Sequence, residues 1–312
     1  MNDTMISVEN FRKTYGQVTA VDGISFAVQR GEIFGLLGPN GAGKTSTLEC
    51  LEGLRQPDGG RLSVAGVDPS REARKLRGKI GVQLQTSGLP DSISAAEAMR
   101  FFCAYHGITP RHDLIERLGL VEKRNTAYAD LSTGQKRRLA LALAVAHQPE
   151  VLFLDEPTAG LDVGSRVELH SLMRELQGQG TTILLATHDM AEAEGLSNRV
   201  AILLHGQIAA AGTPLEITAA GAGLTKVSVR TERGSLEQAN GSIPGVKQQT
   251  IQEDYAVYFS ADVGPTVSAL IGYIESHGDA LVDLRVERPS LEDRFLEITD
   301  GKRARSGDRP EQ

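Results

Sequence analysis

The 312-residue sequence predicts an α/β nucleotide-binding fold followed by a small α+β domain, and three observations carry that expectation. The first is Gly38-Pro39-Asn40-Gly41-Ala42-Gly43-Lys44-Thr45, a G-x-x-x-x-G-K-T loop between a short apolar run and a helical stretch. The second is a set of continuous apolar runs at 33–37, 151–154 and 182–186, as expected of strands buried on both faces of a parallel sheet. The third is a shift in composition at 217–224, where Ala and Gly crowd together. Beyond it the strands alternate like half-buried ones.

Taken in order, residues 6–13 and 21–28 read as two strands about a turn at Tyr15-Gly16-Gln17. The strand at 33–37 then feeds the loop. The loop glycines let backbone N–H groups turn inward, and the N-terminus of the helix at 44–54 adds partial positive charge, so the two together hold phosphates. Lys44 is expected on the β- and γ-phosphates, the Thr45 hydroxyl on Mg²⁺, and Gly38 through Ser46 around the nucleotide. Leu48, Leu51 and Leu54 lie along one face of that helix.

After the turn Pro57-Asp58-Gly59-Gly60, strands are expected at 61–65 and 80–85. A mostly helical section opens at 94–105, with Ala98, Phe101, Phe102 and Tyr105 on one face, and runs to about residue 146. Parallel strands resume at 151–154 and 182–186 around a helix at 165–176, and 200–204 with 207–211 form a hairpin over His205-Gly206. The nucleotide-binding domain is expected over 1–216, a linker over 217–224, the α+β domain over 225–300 and a disordered polar tail over 301–312. Within the second domain, strands fall at 225–230, 255–260 and 280–286, and helices at 265–276 and 290–298. Ser290 and Asp293 give the last helix a capping-box start.

Composition narrows the function. A net charge of −7 lacks the basic field that nucleic-acid binding needs, so no nucleic-acid partner is expected. Cys50 and Cys103 have neither disulfide nor metal-type spacing, which suits a reducing, cytoplasmic setting. The longest apolar run, eight residues at 139–146, is far short of the roughly 20 that span a bilayer. No signal-peptide core stands at the N-terminus, so any membrane role requires another protein.

Two further stretches carry chemistry. The strand at 151–154 ends in Asp155-Glu156, where ligands bind in α/β sheets. Asp155 suits a water-mediated Mg²⁺ contact and Glu156 an attacking water, while the plainer reading is a pair of turn acids closing a strand. Leu131-Ser132-Thr133-Gly134-Gln135 opens the apolar helix, with Ser132 and Gln135 at capping-box spacing. Lys136, Arg137 and Arg138 crowd cations into its first turn, where the helix dipole disfavours each by roughly 0.3–1 kcal/mol. An anion docked there is expected to relieve the conflict.

These motifs, in this order over about residues 5–215, resemble the ATP-binding-cassette (ABC) ATPases: a P-loop fold with a parallel core sheet, an antiparallel β subdomain and a helical subdomain. The resemblance implies Lys44 and Thr45 as phosphate-loop residues, Asp155 as the magnesium-site acid and Glu156 as the catalytic carboxylate. It implies His188 as the switch histidine, although a lone His after a strand is usually structural. Tyr15 matches the aromatic that stacks on adenine; its plainer role is core. Gln85 matches the Mg²⁺-touching glutamine, with Gln83 on the same strand face as its rival. Leu131 to Gln135 resemble the LSGGQ signature, Thr133 standing where the family usually has Gly, and Ala159-Gly160-Leu161-Asp162 resemble the loop between subunits.

In the family one subunit's phosphate loop and the other's signature enclose the same ATP, so the resemblance implies an ATP-sandwich homodimer with ATP and Mg²⁺. Pro289-Ser290-Leu291-Glu292-Asp293-Arg294-Phe295-Leu296 resembles the tail of the daunorubicin-type drug-exporter branch. That implies a separately encoded transmembrane permease on the inner face of the cell membrane and export of drug-like or amphipathic compounds. The helix near 94–105 is then expected at the groove that receives the permease, with Glu97 and Arg100 as contacts and Phe101 and Phe102 in the core. Two other readings stand beside it: a soluble regulatory ABC ATPase without a permease, and a small-molecule P-loop kinase, which would leave the signature and His188 without purpose.

Overall fold

The computed structural model describes residues 3–85, 88–220, 223–238 and 243–306, and the chain divides into two compact units, Met1–Pro214 and Leu215–Gln312. In the first, β1 (Thr4–Tyr15) pairs antiparallel with β2 (Val18–Gln29). β3 (Ile33–Leu37) leads into the phosphate loop and α1 (Lys44–Leu51) leads out. β4 (Gly59–Val64) then joins β1 to complete a three-stranded antiparallel sheet of order β2-β1-β4. After α2 (Ala73–Arg77) and β5 (Ile80–Gln83) comes the helical section: α3 (Ala95–Tyr105), α4 (His112–Arg117) and α5 (Thr133–Val145). The unit closes with β6 (Val151–Asp155), α6 (Val163–Gly178), β7 (Thr182–Thr187), α7 (Met190–Leu196), β8 (Arg199–Leu204) and β9 (Gln207–Gly212).

These strands form a six-stranded sheet of order β5-β6-β7-β3-β8-β9, parallel except for the β8–β9 hairpin. β6 shows why the apolar runs are continuous. Val151 and Phe153 face one core with Phe34, Leu36 and Leu48, whereas Leu152 and Leu154 face the other with Leu139, Leu169 and Leu185. Alternate residues thus serve two cores, each large side chain contributing about 1.5–3 kcal/mol by leaving water. The order β6-β7-β3 also brings three strand ends side by side, so the segments after Leu37, Leu154 and Thr187 meet at one edge.

Three expectations in this unit change. α1 ends at Leu51, leaving Leu54 58% exposed beyond it. β5 stops at Gln83, short of Gln85. On α3 the buried face is Ala95, Ala98, Met99 and Cys103, so Phe101, expected in the core, is 65% exposed. The small alanines let the helix approach the core closely, and a Ser94–Glu97 capping box fixes where it starts. That box takes the Glu97 carboxylate expected at the permease contact.

α8 (Pro214–Ala219) occupies the boundary, so the unit break falls at Pro214 and the first residues of the expected linker are helical. The second unit contains β10 (Thr225–Thr231), β11 (Val246–Gln252), β12 (Tyr255–Ser260), α9 (Val263–Ser276), β13 (Leu281–Glu287) and α10 (Leu291–Ser306). Its antiparallel sheet has the order β11-β12-β10-β13, and Val227, Val229 and Tyr258 pack with Leu270 and Ile274 of α9. β11 is an additional strand that the sequence did not announce. α10 starts at the expected Ser290 cap, where Ser290 Oγ accepts from Asp293 N at 3.1 Å. It continues to Ser306, so the first half of the expected tail is helical; residues 307–312 lie outside the described ones. Among the described residues, no helix is long and apolar enough to cross a membrane.

Candidate active site

The phosphate loop is shaped by what surrounds it. Gly43 has φ 104°, and a Cβ there would lie 2.4 Å from the Ala20 carbonyl oxygen, so only glycine fits. Lys44 Nζ donates to the carbonyl oxygens of Gly38 at 2.7 Å and Pro39 at 3.3 Å, and lies 3.6 Å from Glu156 Oε1. Thr45 Oγ1 donates to Asp155 Oδ2 at 3.0 Å. The other Glu156 oxygen, Oε2, is 2.8 Å from His188 Nδ1. A polar chain therefore runs from the loop lysine through Glu156 to His188, and a second joins Thr45 to Asp155.

Burial lowers the Lys44 ammonium below its ordinary value, opposed by the Glu156 and Asp155 carboxylates. Burial likewise raises Asp155, opposed chiefly by the Thr45 hydrogen bond. Asp155 Oδ1 is buried and has no hydrogen-bond partner among the described residues. With the Thr45 hydroxyl and the nearby Gln85 amide it offers hard oxygen donors, a set that fits Mg²⁺.

One cavity of about 370 Å³ is lined by Tyr15, Pro39 through Ser46, Gln85, Asp155 and Glu156, and additionally by Ala20, which the sequence did not single out. Gly38 borders it through its bond to Lys44, and His188 through Glu156. Gln83 lies elsewhere, 2% exposed within β5. Tyr15 is 39% exposed, donates to Ser46 Oγ at 3.3 Å, and has Lys13 and Arg55 within 5.5 Å of its ring. It is therefore not a core residue.

Leu131, Ser132, Thr133, Gly134 and Gln135 do not line this cavity. Ser132 and Gln135 form the expected capping box at the start of α5. The three cations in the first turn of α5 each find a backbone acceptor. Lys136 donates to the Ala129 carbonyl, Arg138 to that of Leu118, and Arg137 to that of Glu156. The last bond ties the signature helix to the carboxylate-bearing turn, a link invisible in the sequence. Asp162, in the expected subunit-contact loop, caps α6 by accepting from Ser165 N at 2.9 Å.

A separate apolar groove of about 370 Å³ lies between the β5 region and the helical section, lined by Leu84, Leu89, Phe102, Tyr105, Leu143 and others. Glu52 is at its floor and was not singled out by sequence. Its position four residues after Leu48, on the apolar stripe of α1, is the signal that marks it.

Fold and site together define a P-loop nucleotide-hydrolase cassette. Residues 21–159 match the model of the ABC transporter family. The chain is 36% identical over 308 residues to the daunorubicin resistance ATP-binding protein of Streptomyces coeruleorubidus, covering 96% of this chain and 97% of that protein. It is 33% identical to the linearmycin resistance ATP-binding protein of Bacillus subtilis, covering 95% and 98%. An ATP-binding subunit of an ABC transporter superposes with a TM-score of 0.65 at 27% identity, over 69% of this chain and 92% of its own. A dimeric bacterial ABC transporter cassette superposes at 0.61 and 26% identity, over 67% and 98%. The chain belongs to the ABC transporter family and is the ATP-binding, ATP-hydrolysing subunit of an export-type transporter.

Proposed function

We propose that two copies of this chain close on two ATP molecules and, by hydrolysing them, drive a separately encoded permease that exports drug-like or amphipathic compounds. The observation that carries the reading is the split site: Lys44, Asp155, Glu156 and His188 converge, while the stretch Leu131 to Gln135 lies apart from their cavity. A second copy supplies what one chain cannot. The dimeric cassette among its structural relatives supports this arrangement.

In this reading the loop N–H groups and Lys44 hold the phosphates, Tyr15 stacks on adenine, and Thr45, Asp155 and Gln85 hold Mg²⁺. When bound, Mg²⁺ neutralises charge on the β- and γ-phosphates. Glu156 accepts a hydrogen bond from the attacking water and orients it. His188, bonded to Glu156, fixes that carboxylate and senses the γ-phosphate. Water adds to the γ-phosphorus, its bond to the bridging oxygen breaks, ADP and phosphate form, and the dimer opens.

The apolar groove beside α3 is the docking site for a cytoplasmic helix of the permease, which holds the chain at the inner face of the membrane. The test is a detergent pull-down of tagged Glu156→Gln protein from its native membranes. Recovery of a stoichiometric polytopic membrane protein is expected; a chain absent from membranes, with only soluble companions, refutes the transport assembly.

A further inference from the structure

Glu156 stands in a conformation that residues with a side chain rarely adopt. Its φ is 50°, in the left-handed region, and a residue with a Cβ stays there only when its surroundings hold it. The Glu156 N–H donates to the Ala186 carbonyl oxygen of β7 at 2.9 Å. The Glu156 carbonyl accepts from Ala159 N at 3.3 Å within the turn, and from a guanidinium N–H of Arg137. That last donor comes from α5, the helix that opens with the signature stretch.

The start of α5 also touches the far end of the turn. A Cβ on Gly134 would lie 3.3 Å from Leu161 Cδ2, and Leu161 is buried, so the helix rests directly on the 159–162 loop. One short piece of α5 thus grips both ends of the segment 156–161, and the Ser132–Gln135 capping box fixes where that piece begins. The Glu156 side chain in turn reaches Lys44 and His188. Rotation of the backbone at Glu156 would swing its Cα–Cβ bond and carry the carboxylate away from both. Displacing a reacting group by about 1 Å can cost roughly 10²-fold in rate.

We propose that Arg137 is a positioning residue for hydrolysis: its hydrogen bond to the Glu156 carbonyl holds the hydrolytic carboxylate in place, so that the seating of the signature helix sets the site in the same chain. This rests on the reading of Glu156 given above and deepens it. In the two-copy assembly the signature meets the partner's ATP, whereas Glu156 serves the chain's own. Arg137 is then the point at which capture of one nucleotide bears on hydrolysis of the other. A guanidinium suits the role, since it donates without accepting and keeps its charge at every working pH.

The test compares the full chain with Arg137→Met, which keeps the partly buried aliphatic stem and removes the donor, and Arg137→Lys, which returns one N–H donor. Phosphate release over a range of Mg²⁺-ATP separates kcat from KM, and urea midpoints show that each variant is folded. Arg137→Met is expected to lower kcat by about tenfold or more with KM within about twofold, because the phosphate loop is untouched. Arg137→Lys should return kcat to within about threefold of the wild type. Because Arg137 acts through Glu156, the double variant Arg137→Met/Glu156→Gln should match Glu156→Gln alone within about twofold. An Arg137→Met protein with the wild-type kcat, or a loss that lysine does not repair, overturns the proposal. So does a loss that adds in full to that of Glu156→Gln. Hydrolysis by Glu156→Gln at the wild-type rate refutes the reading of Glu156 itself, and the proposal with it.

Discussion

Replacing Glu52 by glutamine removes a titrating group while nearly preserving its shape. Burial, reinforced by the carboxylates of Asp155 and Glu49, pushes the Glu52 carboxyl from 4.5 up to about 8. The folded chain therefore keeps this proton well above the pH at which the unfolded chain releases it. Between those values the folded state binds more protons, so stability falls as pH rises, and the contribution is lost once pH passes the folded value. At ~1.4 kcal/mol per pH unit, the window from 4.5 to about 8 corresponds to at most about 5 kcal/mol. Glutamine does not titrate, so its advantage over glutamate grows across that window. Urea unfolding of both proteins, followed by far-UV circular dichroism at pH 5 and pH 8.5, measures the difference directly. The gap should widen in favour of the variant at the higher pH. A gap independent of pH would refute the reasoning, because it would mean that the carboxyl is hydrated and titrates as in water.

Lys44→Ala removes the ammonium proposed to hold the phosphates; ATP hydrolysis should fall by about 10²-fold or more, and a smaller loss in a phosphate-release assay would count against its role. Gly81→Ala would set a Cβ 2.2 Å from the Ala144 carbonyl oxygen, forcing α5 away from β5. Its urea midpoint should fall by the equivalent of about 1–3 kcal/mol, while an unchanged midpoint would show that the helix can shift freely. Thr133→Gly removes a side chain from the start of α5, facing the position where the partner's nucleotide is expected. Turnover should rise modestly, and unchanged ATPase activity disposes of a steric role for Thr133.

What the sequence made legible was whatever the backbone or burial constrains in more than one way. The apolar runs of β3, β6 and β7 were readable because both faces of those strands are covered. Gly43 was readable because a side chain there would strike Ala20. Capping boxes at Ser132 and Ser290 are local and were equally plain. β11 was not, because VKQQTIQ is an exposed edge strand without buried alternation. Phe101 misled because α3 carries apolar residues on two faces, and the alanine-rich one packs inward. The Arg137 bond to the Glu156 carbonyl joins residues 19 apart and has no local pattern. Gln85 and Gln83 share a strand parity, and only the end of β5 separates them. Glu52 was visible in principle as an acid on an apolar helical stripe, but that its Oε2 has no hydrogen-bond partner among the described residues emerges only in three dimensions.

In the proposed mechanism Glu156 is the carboxylate that drives hydrolysis at a site shared by two copies of the chain. Glu156→Gln keeps the side chain's size beside Lys44 and His188 while removing its charge. The measurement is light scattering of this variant with and without Mg²⁺-ATP, alongside phosphate release. An ATP-dependent shift from monomer to dimer is expected, with hydrolysis reduced by about 10²-fold or more. A variant that stays monomeric with ATP, or that hydrolyses it at the wild-type rate, would contradict it.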